Sequence, residues 1–343
     1  MLVSCKKGVQ MINRLFLFVF LMASSNISQA APPTELIYKL KGSITKVHSV
    51  NASGGRSTGT GVVVAENKVA TNCHVLINSA GMNIGSMGEN FQPVGLQADW
   101  KHDVCIMNFM YLPLKPAILG DSENLQYEQE IFSIGFPGGP PKPLTTWGTI
   151  KALYPYDESV VIRTSASFQM GASGSPLFDA EGKVIGISTF KSPGRNSFFY
   201  NIPVKWVKAA LDLPVLEFSR DSQPAFWDVE LEKKPFFMQI VLPFQNEQWS
   251  EVESIAKQWL KASPNDVEAM FYNAAVKDHA GDLEGAKAIY QRILKTNAKH
   301  ADSIVGLANI ANKQGKSGDF EVYKKRLTEL NFDDDQLSLL ITK

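Results

Sequence analysis

The chain of 343 residues is poor in the side chains that hold metals, with five His and three Cys, and no ligand cluster among them. A four-ligand structural zinc site is therefore not expected. Charge of one sign is also missing: 34 basic residues face 34 acidic ones, and no Lys/Arg run stands out. That balance argues against nucleic acid or an anionic membrane surface as a partner. Long apolar runs are absent. "LFLFVFLM" at residues 15–22 is far shorter than the ~20 residues a membrane helix needs, and no later run exceeds it. Strands do not alternate with helices, which excludes a doubly wound parallel sheet.

The short apolar run has its own meaning. Lys6, Lys7 and Arg14 precede it, and "SNISQA" follows with Ser28 and Ala30 at the positions a signal peptidase reads. Residues 1–30 are expected to be a signal peptide cleaved after about Ala30. The mature chain would be periplasmic or secreted, in an oxidising compartment. Membrane contact would end with the leader. The leader removes three basic residues and no acid, leaving a formal charge of −3, and it takes Cys5 with it.

Three regions follow. Residues 36–211 read as mainly β, because short β-branched runs such as "GVVVAENKVATN", "QEIFSIGF" and "GKVIGIST" alternate with Gly/Pro turns such as "FPGGPPKP". Many short strands of this kind suggest barrels or a sandwich. Residues 212–248 mix Pro, charge and six aromatics (Phe218, Phe226, Trp227, Phe236, Phe237 and Phe244), and read as a connector with some strand, its rings filling a core. Residues 249–343 read as helical, with apolar positions three and four apart, as at Ile255 and Trp259. "SPND" at 263–266 looks like a helix start with a first-turn Pro. A 34-residue period relates Leu260 to Leu294, Ala274 to Ala308 and Gly281 to Gly315. That period and "GDLEGAKAIYQRILKTNA" resemble a tetratricopeptide repeat. Phe320 departs from the pattern where a small residue belongs. About two repeats are visible, fewer than the roughly three needed for independent stability, so the tail is expected to lean on the β region.

Chemistry concentrates in "GASGSP", with Ser173 between two glycines. A tight turn is one reading. A nucleophile is the other, and it needs a base and an orienting acid. His74 follows a hairpin in "VATNCHVL", and Asp103 opens a strand in "HDVCIMNF". The order His–Asp–Ser matches the chymotrypsin-like arrangement. His102 would face away from Asp103's side of the strand, and His48 reads as an ordinary strand residue. An α/β-hydrolase reading fails, since the only His residues after Ser173 lie in the tail and the alternating helices are missing.

Four stretches in register carry a family likeness. "TGTGVVVAENKVATNCHV", "HDVCIMNF", "LGDSENLQYEQEIFSIGFPGG" and "IRTSASFQMGASGSPLFDAEGKVIGIST" together resemble trypsin-like serine peptidases of the HtrA (Deg) and glutamyl-endopeptidase type, along about 150 residues. The resemblance implies two six-stranded β-barrels, chymotrypsin-like, with a site in the cleft between them. It implies that Ser173 attacks, His74 carries the proton and Asp103 fixes the imidazole. The backbone N–H groups of Gly171 and Ser173 would form the oxyanion hole. Ala172 and Ser175 depart from the more frequent residues without touching these roles. Ser188, Thr189 and Phe190 fall on the strand that pairs with substrate. Ser167 falls at the base of the pocket for the P1 side chain. It is not an acid, so cleavage after Arg or Lys is disfavoured, and a small or medium apolar P1 residue is expected. Phe190 falls on a pocket wall and would narrow it.

With His74 against Asp103, the neighbouring Cys73 and Cys105 come within disulfide reach; two buried thiols are the other reading. No zymogen activation site and no PDZ domain are visible, and no metal or organic cofactor is implied. The leading expectation is an exported serine endopeptidase acting on proteins or peptides. Its helical tail would bind a protein partner or substrate, or cap the β region. The competing expectation is an inactive protease-fold scaffold whose repeats bind a partner.

Overall fold

Strand pairing divides the β region into two halves. The computed structural model describes residues 32–51, 53–86, 88–194, 196–217, 223–332 and 336–338. The expected leader, Cys5 and Phe218 lie outside the described residues.

A short helix, α1 (Thr34–Lys41), comes first and tucks Leu40 into the core. The reading of residues from 36 as strand misses it. Seven strands then form one antiparallel sheet: β1 (Ile44–Asn51), β2 (Arg56–Ala65), β3 (Lys68–Thr71), β4 (Ser79–Ser86), β5 (Glu89–Phe91), β6 (Gly95–Asp99) and β7 (Val104–Asn108). Their order is β5-β4-β1-β2-β3-β7-β6. The expected six-stranded first barrel is thus a seven-stranded sheet, and among the described residues its end strands do not pair. Val47, Val63, Val69, Ile84 and Met107 fill its inner face, as residues on alternate positions must when one face is buried.

Six strands make the second half: β8 (Glu130–Gly135), β9 (Leu144–Tyr156), β10 (Ser159–Thr164), β11 (Pro176–Phe178), β12 (Val184–Lys191) and β13 (Phe199–Pro203). These close into a barrel in the order β10-β13-β12-β11-β8-β9. Closure leaves no free edge in the ring. Strand β12 is buried along all but its last residue. Helix α2 (Val204–Leu211) follows Pro203 and buries Val204, Trp206, Val207 and Ala210.

The stretch after residue 212 holds little strand. Leu216 pairs with Leu96 in a single antiparallel bridge at the edge of β6. Beyond it come a turn and two short helices, α3 (Phe236–Gln239) and α4 (Val241–Gln245). Pro235 stands at the N-cap of α3, and Pro243 lies within the first turn of α4, where its missing N–H costs nothing.

Five longer helices complete the chain: α5 (Trp249–Ala262), α6 (Val267–His279), α7 (Leu283–Thr296), α8 (Ala301–Lys313) and α9 (Ser317–Glu329). Helices α5, α7 and α9 start 34 residues apart, as do α6 and α8. Gly281 and Gly315 take the left-handed conformation just past α6 and α8, with φ of 83° and 65°. The third member of the period forms despite Phe320. The N-cap of α6 is Asp266, whose carboxylate accepts from the N–H groups of Glu268 and Ala269, whereas Ser263 ends α5. A carboxylate three residues nearer the helix outcompetes the hydroxyl.

The helices dock on the barrel. Tyr154 on β9 stacks on Phe237 with ring centres 4.3 Å apart and lies near Trp259 of α5. Arg163, buried in β10, donates to Asp302 of α8 at 3.0 Å and lies over the Phe198 ring. Glu268 of α6 accepts from the Tyr127 hydroxyl at 2.7 Å and from His300 Nε2 at 3.2 Å. Arg163 sits mid-strand in "SVVIRTSA" and would be an unpaired buried charge without Asp302.

Candidate active site

The two halves meet at three side chains. His74 rides on a single 3₁₀ turn, Cys73–Leu76, that begins where β3 ends. Asp103 closes the turn that leads into β7. Its φ of 59° is left-handed, a conformation Asp tolerates better than most residues. Ser173 lies on the turn before β11.

Their geometry is connected throughout. The Asp103 carboxylate accepts from the His74 backbone N–H at 2.8 Å through Oδ1 and from the imidazole Nδ1 at 2.7 Å through Oδ2. A carboxylate on Nδ1 places the ring proton there, which leaves Nε2 as an acceptor. Nε2 lies 2.9 Å from Ser173 Oγ. Asp103 is 1% exposed, whereas the His74 side chain keeps 26% of its surface open. The carboxylate is thus sealed and the imidazole faces a cleft.

Gly171 and Gly174 shape the nucleophile turn. Gly171 has φ of 93°, and a Cβ there would come within 2.5 Å of the Phe136 carbonyl. The preceding carbonyl, of Met170, accepts from Gly138 N–H at 2.7 Å. In a trans peptide the Gly171 N–H then points the opposite way. Among the described residues, neither this N–H nor that of Ser173 is paired within the chain. Gly174 has φ of 86°, and its Cβ position falls 2.1 Å from the Thr60 carbonyl. Ser175 fits because its neighbour is Gly135, which leaves room for the hydroxyl.

Thr60 on β2 ties this turn to the first sheet, a role that the sequence did not single out. Its N–H donates to the Ser173 carbonyl and its hydroxyl to the Gly171 carbonyl, both at 2.8 Å. Asn72 braces the other side, donating to the Asp103 carbonyl at 2.9 Å and to Thr189 Oγ1 at 3.0 Å. Trp227 was likewise read only as core. Its indole N–H donates to Asp103 Oδ2 at 3.1 Å, and its ring meets His74 edge-on. A Trp in a segment crowded with aromatics gives no periodic signal.

The remaining predicted residues are scattered around this centre. Cys73 and Cys105 are joined by a disulfide, Cα atoms 4.9 Å apart. Ser188 is fully engaged: its N–H donates to the Ser175 carbonyl, its carbonyl accepts from Gly174, and its hydroxyl donates to Asn201. Thr189 is buried at a bulge of β12 and donates to the Ile187 carbonyl. Phe190 is also buried, stacked between Tyr200 and Trp227. It lines a cavity of about 520 Å³ whose other walls include Trp227, Met238 and Leu242. Ser167 is exposed on the loop between β10 and the nucleophile turn. His102 points away from the triad, bonded to Asp99 at 2.6 Å and to Asp157 at 2.7 Å, and stacked on Trp206. Burial, followed by nearby Lys46, pushes the His48 imidazole below its usual range. No cluster of metal-binding side chains occurs among the described residues.

Comparison with known proteins finds relatives of the same region. The trypsin-like peptidase domain family matches residues 59–187, which hold His74, Asp103 and Ser173. The region is a trypsin-like peptidase domain.

Its relatives are serine endopeptidases. A probable periplasmic serine endoprotease, DegP-like, from Halomonas elongata is 32% identical over 158 residues, 43% of this chain and 33% of that protein. A glutamyl endopeptidase from Staphylococcus epidermidis is 30% identical over 157 residues, 39% of this chain and 54% of that protein. A solved structure of the active form of a Mycobacterium tuberculosis protease is 21% identical, covering 56% of this chain and 92% of that one, with a TM-score of 0.49. The chain spans about a third to a half of the length of the curated relatives named here. The family match to the peptidase domain ends before Thr189, Phe190 and Trp227.

Proposed function

We propose that this chain is an exported serine endopeptidase that hydrolyses peptide bonds with Ser173, His74 and Asp103. The observation that carries the reading is the unbroken line from Ser173 Oγ to His74 Nε2 and from Nδ1 to the buried Asp103 carboxylate. As the Ser173 oxygen bonds to the scissile carbonyl carbon, its proton passes to Nε2. The carbonyl π electrons move to the oxygen, which the N–H groups of Gly171 and Ser173 receive. Collapse expels the amine with the proton from Nε2 and leaves an acyl-serine. A water then repeats the sequence, with His74 as base and Ser173 as leaving group. Asp103 stays ionised and stabilises the imidazolium.

Ser167 offers a P1 side chain no charge, which supports an uncharged P1 residue. Ser188 has no free backbone group, so substrate pairing falls to Thr189 and Phe190, where β11 has ended. Export is supported by the leader-like residues 1–30 and by the disulfide beside the triad. The domain limits we propose are 36–211 for the peptidase, 212–248 for the connector and 249–343 for the tetratricopeptide-like helices. The docked tail serves as a cap, and its outward faces are offered to a protein partner.

Fluorophosphonate labelling of the mature protein tests this. Wild type should label at Ser173, and both Ser173→Ala and His74→Ala should lose labelling by about 10⁴-fold or more. A folded wild type that does not label would leave the scaffold reading in its place.

A further inference from the structure

Asp103 is held by more than the residues of the peptidase pattern. Its Oδ1 takes the His74 backbone N–H, and its Oδ2 takes the Trp227 indole N–H as well as the imidazole. Each carboxylate oxygen therefore has one donor that does not depend on the imidazole. With both oxygens pinned, the carboxylate plane is fixed before Nδ1 bonds to it. Among the described residues no other side chain donates to it. The Thr189 hydroxyl gives its proton to the Ile187 carbonyl and accepts from Asn72. Water is no substitute, since Asp103 is almost fully enclosed.

Trp227 also restrains the base. Its ring stands at 89° to the imidazole with centres 5.4 Å apart, so His74 cannot swing toward that side without displacing it. The ring itself is fixed. Phe190 stacks on it at 5.3 Å, and Ala225 and Phe226 beside it are buried. Phe226 N–H donates to the Lys101 carbonyl at 3.0 Å, in the same turn that carries Asp103. The connector thus grips the aspartate turn by backbone and by side chain.

We propose that Trp227 is a positioning residue of the triad, supplied from outside the matched peptidase domain, which orients Asp103 through its indole N–H and confines His74 with its ring. This rests on the serine-peptidase reading. A ring present only for packing would tolerate loss of the N–H.

The test uses the full mature chain and two readouts. The first is the second-order rate of labelling by a fluorophosphonate across pH, for wild type and Trp227→Phe. The expected loss in Trp227→Phe is about tenfold or more, the scale of a hydrogen bond to a charged group. The second is the indole ¹⁵N–¹H resonance of Trp227, assigned through the backbone among six tryptophans. It should titrate in wild type with the midpoint of labelling and stay still in His74→Ala. The proposal is overturned if Trp227→Phe labels at the wild-type rate, or if the resonance ignores His74. A wild type that never labels removes the peptidase reading alone, because the resonance still reports the coupling. Should Trp227→Phe fail to fold, the wild-type resonance decides.

Discussion

Two seams run through the molecule, and they are built from opposite materials. The cleft between the first sheet and the barrel is held by backbone groups and short polar side chains: Thr60, Asn72 and the aspartate turn. The seam between the barrel and the helices is held by large rings and enclosed charges: Tyr154 on Phe237, Arg163 on Asp302, Glu268 between Tyr127 and His300. A cleft that admits a peptide must keep a wet side, and short bonds around glycine turns leave that room. A seam packed with rings excludes water from its middle, and the charges enclosed there need partners. Trp227 belongs to both, since its segment leaves the helical side and ends on the triad.

The difference can be broken most heavily at Arg163. Asp302→Ala should cost about 3–5 kcal/mol in urea unfolding, because the enclosed Arg163 guanidinium is left without its charged partner. Fluorophosphonate labelling of the molecules that remain folded should keep its wild-type rate. A fall in that rate would show that the two seams are one device. The disulfide comes next. Replacing Cys73 and Cys105 together by Ala reopens a loop whose ends are 32 residues apart, and should cost about 3–4 kcal/mol by loop entropy. Labelling should slow as well, since the bond links the His74 turn to the strand after Asp103; unchanged labelling would mean that Thr60 and Asn72 suffice.

Part of this was readable in advance. The juxtaposition of His74, Asp103 and Ser173 was legible because the proposed chemistry demands three residue types in one chain order, and each sits in a motif that a strand end or a glycine turn imposes. The repeat was legible because a 34-residue period leaves its trace in small and apolar positions. The first sheet was miscounted because six strands came from the family resemblance, whereas this chain pairs seven, one of them the three-residue β5. The connector read as part strand because α3 and α4 span only four and five residues, too few for a 3.6-residue pattern to show. Trp227 was missed for a different reason: a hydrogen bond between residues 124 positions apart has no local signature.

The smallest effect belongs to a latch across the cleft. Asp157, in the turn between β9 and β10, accepts from Lys101 and His102 beside the aspartate turn. The Lys101 hydrogen bond holds its carboxyl below the usual range, against the pull of partial burial and with help from His102. A lowered carboxylate stabilises the fold above the ordinary Asp value of about 3.9 and stops doing so as pH falls through the lower folded value. Asp157→Asn should therefore cost under about 1 kcal/mol at pH 7, as expected for an exposed pair. Its stability should converge with wild type as pH falls below about 4. A gap that persists once the folded carboxyl has been protonated would assign the latch to packing of His102 on Trp206.

The place of Trp227 in the chain also sets a clock. His74, Asp103 and Ser173 all leave the ribosome before it, and Trp227 follows Ser173 by 54 residues. At about 5–20 residues per second, that is a delay of roughly 3–11 seconds. On the proposed roles, the growing polypeptide in that interval would hold Ser173, His74 and Asp103 but lack the indole that steadies them. On that reading full reactivity would arrive only once the segment that joins the helices has been made, after the barrel that carries the serine has had time to close.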